Sequence, residues 1–278
     1  MFRGSYKIAT VMGIPIRIHI SLIIILVYLV AKFGFRDGLL LELGLATSII
    51  LHELGHSAVA MQKGCRVREI TLLVVGGAAQ MERVPRRPLD EFLMAAAGPA
   101  VSVLLGTAFL FAGFNLPLPP VRARGFYPFN ILQILGVVNL GLVVFNLLPA
   151  FPMDGGRILR AMLVPRLGRL RATRLAARLG QILAILFAVY AITNLSERWV
   201  LLLIAPLVYI AAGHEARMVA MEEARKRRGA AWQRSGNLWS EPPEGNDVII
   251  SPPPYRREPD THTDILEDRE DPLRPFHR

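Results

Sequence analysis

Two histidines spaced four apart, with a glutamate beside the first, stand out in "SIILHELGHSAVAM". His52, Glu53 and His56 spell H-E-x-x-H. On a helix, residues four apart share a face, so both imidazoles can present a ring nitrogen to one ion. Glu53 is one step from His52, near enough to reach a metal-held water without being a ligand. Two neutral imidazoles, a carboxylate and an open position make a catalytic zinc site. Zinc lowers the pKa of the water it holds, and the carboxylate takes the proton as that water attacks a carbonyl. The competing reading is a helix whose histidines find hydrogen-bond partners inside a bundle, since five-letter motifs also arise by chance.

A third donor must come from elsewhere. "FNLLPAFPMDGGRILRAML" offers Asp154, flanked by Pro149, Pro152, Gly155 and Gly156. Proline removes a backbone donor and breaks helix, while glycine permits turns. An irregular, protein-buried loop is expected to carry Asp154, a feature that membranes tolerate beside a cavity. The alternative is a helix-to-helix turn in which Asp154 caps a helix beginning near Arg157.

The elements that must position these groups are apolar. Of 278 residues, 53% are hydrophobic and 19% charged, against roughly 25% charged in soluble domains. That composition predicts an α-helical polytopic membrane protein. A crossing helix needs about 20 apolar residues. Six candidates follow: Ile16–Lys32, Leu39–Gln62, Glu91–Gly113, Asn130–Leu148, Leu175–Thr193 and Trp199–Ala212. The basic start and compact first run look like a signal peptide, but "VYLVAKF" offers no small-residue cleavage site, so retention is expected.

Basic residues set the orientation. Arg3, Lys7, Lys63, Arg66, Arg68, Arg83, Arg86, Arg87 and the run from Arg157 through Arg178 fall on one side. The opposite side holds Lys32, Arg36, Arg122, Arg124 and Arg198. The asymmetry places both termini in the cytoplasm, with His52, His56 and Asp154 near the inner face of a cell (inner) membrane. The net charge of +10 is spread over these short blocks, which argues against nucleic acid. Cys65 is the single cysteine, so no intrachain disulfide is available. A membrane domain is expected over residues 1–212. A tail over 213–278, basic with two tryptophans and then proline-rich and charged, is expected to be largely disordered.

The motifs together resemble the site-2 protease family of intramembrane zinc metalloproteases. "HELGH" and "FNLLPAFPMDGG" match its two signatures in order and character. The resemblance implies that His52, His56 and Asp154 hold one zinc per chain and that Glu53 is the general base. It also implies that Asn146 helps position substrate, against the plainer reading of an interhelical hydrogen bond. "GIPIRIHIS" is similar to the family's approach to its first helix. "VREITLLVVGGAAQMERVPRRPLDEFLMAAAGPAVS" is similar to its membrane-associated β-hairpin, between helices two and three, followed by the A-G-P helix. Ser102 departs from the asparagine of many members. The likeness covers roughly residues 8–212 and is nearest the compact six-span branch that includes the sporulation-factor processing protease.

The function expected is an endopeptidase cutting single-span membrane proteins within the lipid bilayer, in regulated proteolysis or signal-peptide clearance, with a regulatory membrane protein as a further partner. A substrate helix must unwind to expose a peptide bond, and its freed backbone groups then need partners. Ile70, Thr71, Leu72, Leu73, Val74 and Val75 favour strand, with Gly76 and Gly77 expected to turn, so an edge of that hairpin could accept the substrate as an added strand. The rival is a divalent-metal transporter or metal-sensing membrane protein using the same ligands. Transport would spread ionisable groups over several depths, and here they concentrate at one. An inactive scaffold fits poorly with four intact site residues.

Overall fold

The computed structural model describes residues 4–73, 76–81, 85, 87–121, 129–193 and 195–237. The chain opens as a sheet. In "IPIRIH" Ile14 and Ile16 are buried while Pro15 and Arg17 are half-buried, the period of two that a strand imposes. That alternation makes β2 (Ile14–His19), antiparallel to β1 (Ser5–Val11). Met12 and Gly13 between them both take positive φ, 53° and 80°, as a tight hairpin turn requires. The first expected span is therefore corrected: its opening residues are strand, and α1 covers only Leu22–Phe33.

Gly34, at φ 82°, turns the chain from α1 into α2 (Phe35–Gln62). Next come β3 (Val67–Leu73) and β4 (Gly76–Met81), an antiparallel pair. β3 also pairs with β2 in parallel, giving the order β1-β2-β3-β4. Both ends of the α1–α2 hairpin thus meet at one sheet. Gly76 and Gly77 do not form the turn. They are strand residues opposite Leu73 and Leu72, so the connection falls on residues 74–75, outside the described residues.

The remaining helices are α3 (Pro88–Asn115), α4 (Ile131–Asn146), α5 (Asp154–Leu167), α6 (Arg169–Ile192) and α7 (Leu195–Asn237). Asn130 caps α4 in a full capping box with Gln133, and its amide donates to the Gly113 carbonyl at 2.6 Å, tying α3 to α4. Among the described residues, three helices are long and apolar enough to cross a membrane: α2, α3 and α6. α1 and α4 are apolar but shorter. Outward-facing positions are as greasy as the core. Phe111, Val144, Leu104 and Leu186 are all more than half exposed, a surface suited to hydrocarbon rather than water.

The expected boundary at Ala212 falls inside a continuous helix. "HEARMVAMEEARKRR" is dense in Ala, Met, Glu and Arg, all strong helix formers, and α7 carries on to Asn237. By compactness the chain divides into Met1–Arg228 and Gly229–Arg278. Only the end of α7 is described in the second unit, and the expected proline-rich tail lies outside the described residues.

Candidate metal centre

Three ligand atoms converge. His52 and His56 sit one turn apart on α2 with their Nε2 atoms 3.1 Å apart. Asp154 Oδ2 lies 3.3 Å from His52 Nε2 and 3.1 Å from His56 Nε2. Asp154 is not held on irregular chain, as expected, but is the first residue of α5, with Met153 at the N-cap. The helix starts early because Gly155 and Gly156 let it press against the backbone of residues 147–151, where a side chain would collide.

Hydrogen bonds on the far side of each ring hold it in place, and at His56 the partner also fixes the tautomer. His56 Nδ1 lies 2.7 Å from the Met94 carbonyl. A carbonyl only accepts, so Nδ1 carries the hydrogen and the neutral ring aims the Nε2 lone pair at its neighbours. The His52 ring is oriented by Ser102 Oγ, 2.9 Å from its Nδ1. A shared proton could bridge only one of the three short contacts, whereas a cation among them satisfies all three. Zinc with ligands at about 2.0–2.1 Å sets neighbouring ligand atoms about 3.3 Å apart in a tetrahedron. The donor set and its spacing fit that ion. Asp154 opens α5, outside the long apolar helices. Burial opposes its ionisation, but the contacts with His52 and His56 and the positive charge of Arg157 hold its carboxyl well below the usual carboxylate range.

α3 forms the wall behind the imidazoles. Besides Met94 and Ser102 it contributes Gly98, where an added Cβ would lie 2.7 Å from His52 Nε2 and closer still to His56 Nε2. Any side chain there would collide with both rings at their Nε2 atoms. Sequence reasoning notes the A-G-P segment and Ser102 but assigns neither a contact. The only signal is a small-residue cluster, "AAAGPAVS", in an apolar helix.

The centre opens into a cavity of about 320 Å³ that Glu53, Gly77, Asn146 and Arg157 also line. The Glu53 carboxylate makes no hydrogen bond or ion pair among the described residues, and neither does the Asn146 amide at the end of α4. Gly77 brings β4 against α2: a Cβ there would lie 2.6 Å from Glu53 Cγ and 2.9 Å from Ile49 Cγ2. Its need for glycine is close approach, not a turn. Gly76, paired with Leu73 at the hairpin end, does not itself line the cavity.

A model of peptidase family M50 matches residues 40–124 and 121–188. A zinc metalloprotease of Methanocaldococcus jannaschii is 38% identical over 221 residues, covering 78% of this chain and 62% of that protein. Stage IV sporulation protein FB of Bacillus subtilis is 31% identical over 150 residues, covering 53% of this chain and 49% of that one. The chain thus spans about half to three fifths of these relatives' lengths. The solved structure of the site-2 protease from Methanocaldococcus jannaschii superposes with a TM-score of 0.59 at 37% identity, over 76% of this chain and 95% of that one. The first matched stretch holds His52, Glu53 and His56, the second holds Asp154, and together they span more than half of the sequence: the chain belongs to peptidase family M50.

Proposed function

We propose that the chain is a zinc-dependent endopeptidase that cleaves single-span membrane proteins within the bilayer. The observation that carries this is the meeting of His52, His56 and Asp154 beside an unpaired Glu53, in one cavity among apolar helices. One zinc would be held by those three side chains, supplying an acidified water and polarising the scissile carbonyl. Glu53 takes the proton and returns it to the leaving amine. Asn146 donates its amide to a substrate backbone group. β3 is paired on both sides, so within this hairpin the edge free among the described residues is that of β4, and an unwound substrate segment adds there as a strand beside Glu53.

The same reading puts six crossings in a cell membrane with both termini cytoplasmic, supported by the distribution of basic residues. The 12 residues of α1 and 16 of α4 rise about 18 and 24 Å at 1.5 Å per residue. Both fall short of a hydrocarbon core of about 30 Å. The bilayer would thin beside them, which brings water toward the centre. The deciding experiment compares cells making the parent chain with cells making Glu53→Gln. A single-span protein should accumulate uncut with the variant. If none accumulates and purified chain binds no zinc, the reading is wrong.

A further inference from the structure

Arg160 heads the fully buried side chains at 1% exposure and lies six residues beyond Asp154 on α5. Its Nε donates to Glu91 Oε1 at 2.7 Å, its Nη2 meets the same oxygen, and its Nη1 donates to Glu215 Oε1 at 2.8 Å. The guanidinium carbon also lies over the Phe151 ring, 4.8 Å from its centroid. A buried guanidinium is costly unless its fork is satisfied. Here two helices and a loop supply the partners: Glu91 of α3, Glu215 of α7 and Phe151.

Those partners bracket the ligand set. Glu91 stands one turn before Met94 on α3, whose carbonyl orients His56. Phe151 stands three residues before Asp154, seated among Ala176 and Ala177 of α6 and Ala212 of α7. Its N–H donates to the Ala176 carbonyl at 3.2 Å. Arg160 therefore touches both the helix that orients one ligand and the segment that delivers another. Glu215 brings in α7, and at 33% side-chain exposure it is the most accessible of the three charges.

We propose that Arg160 is a positioning residue for the metal centre: with Glu91 it sets the spacing between α3 and the start of α5, and through Glu215 it makes the docking of α7 a condition for holding zinc tightly. This rests on the zinc reading above and adds to it a control by a helix that supplies no ligand.

The test uses the full chain, purified and loaded with zinc, and follows release of the ion to EDTA alongside thermal unfolding. Arg160→Lys keeps the charge and loses the fork, and Glu215→Gln keeps the shape and loses the charge. We expect zinc to leave about tenfold faster from the first, at the low end of the range typical of groups that support ligands, and about threefold faster from the second, whose charge is the more exposed. Both variants should unfold within a few degrees of the parent. Release within twofold of the parent in both would overturn the proposal, whatever the unfolding temperature does. Should Arg160→Lys not fold, the pair Glu91→Gln with Arg160→Met removes both buried charges together. If folded and leaky for zinc it supports the proposal; if folded and as retentive as the parent it overturns it. If neither folds, Glu215→Gln decides. A parent that binds no zinc would sink the metal reading and this inference with it. A parent that binds zinc beside equally retentive variants would sink the inference alone.

Discussion

Gly98 of α3 stands so close to the Nε2 atoms of His52 and His56 that no β-carbon fits between them. The two histidines are one turn apart on α2, so the backbone of a second helix closes their open side. Gly98→Ala should therefore displace the imidazoles or fill the ion's position. Zinc content of the purified variant should fall to near background with the helical signal unchanged. A variant that holds stoichiometric zinc would show that the helices slide apart at no cost to the centre.

In the proposed reaction Glu53 moves a proton and holds no ion, and its carboxylate is unpaired among the described residues. Glu53→Gln should lower cleavage by at least about a hundredfold and leave zinc content near the parent's. Metal analysis on the same preparation used for the assay separates the roles. Lost zinc with surviving cleavage would reverse them.

Ser102 orients His52 through Nδ1 at 2.9 Å. Replacing a group that supports a ligand costs about 10–100-fold in metal affinity or activity. Ser102→Ala removes the hydroxyl with little change of volume, so its zinc affinity should fall in that range. Ser102→Asn restores a polar partner and should recover much of it. Equal affinities for parent, Ala and Asn would make the hydrogen bond incidental.

β4 is the strand with a free edge beside Glu53. Prolines at β4 positions whose N–H points away from β3 should slow cleavage and spare zinc content and unfolding temperature. Prolines in β3, which is paired on both sides, should disrupt the sheet itself. Undiminished cleavage across all outward β4 positions would exclude strand addition.

How much of this is legible in the sequence depends on how far apart the partners lie. His52, Glu53 and His56 declare themselves because helical spacing alone puts them together. Asp154 is marked by the prolines and glycines that break the helix around it, though the same residues suggest a loop where α5 already begins. β2 is harder. The alternation of Ile14, Ile16 and Ile18 is plain, but it runs into the apolar helix and reads equally well as that helix's first turn. Gly76 and Gly77 look like a turn because local chemistry favours one, whereas Gly77 answers to Ile49 and Glu53 on another helix. Gly98, Ser102, Glu91 and Arg160 carry no local signal, because each is defined by a partner roughly 40 or more residues away.

The parallel pairing of β2 with β3 has a bearing on when the molecule becomes active. Two strands joined by an out-and-back pair of helices cannot meet until both helices have been threaded. A chain emerging from synthesis must insert α1 and α2 before β3 can join β2, and β4 follows β3. Only then does Gly77 press against Glu53 and close one wall of the cavity. On the proposed function, proteolytic competence is thus tied to completed insertion, and a chain stalled partway would carry its histidines and glutamate without the sheet proposed to present a substrate to them.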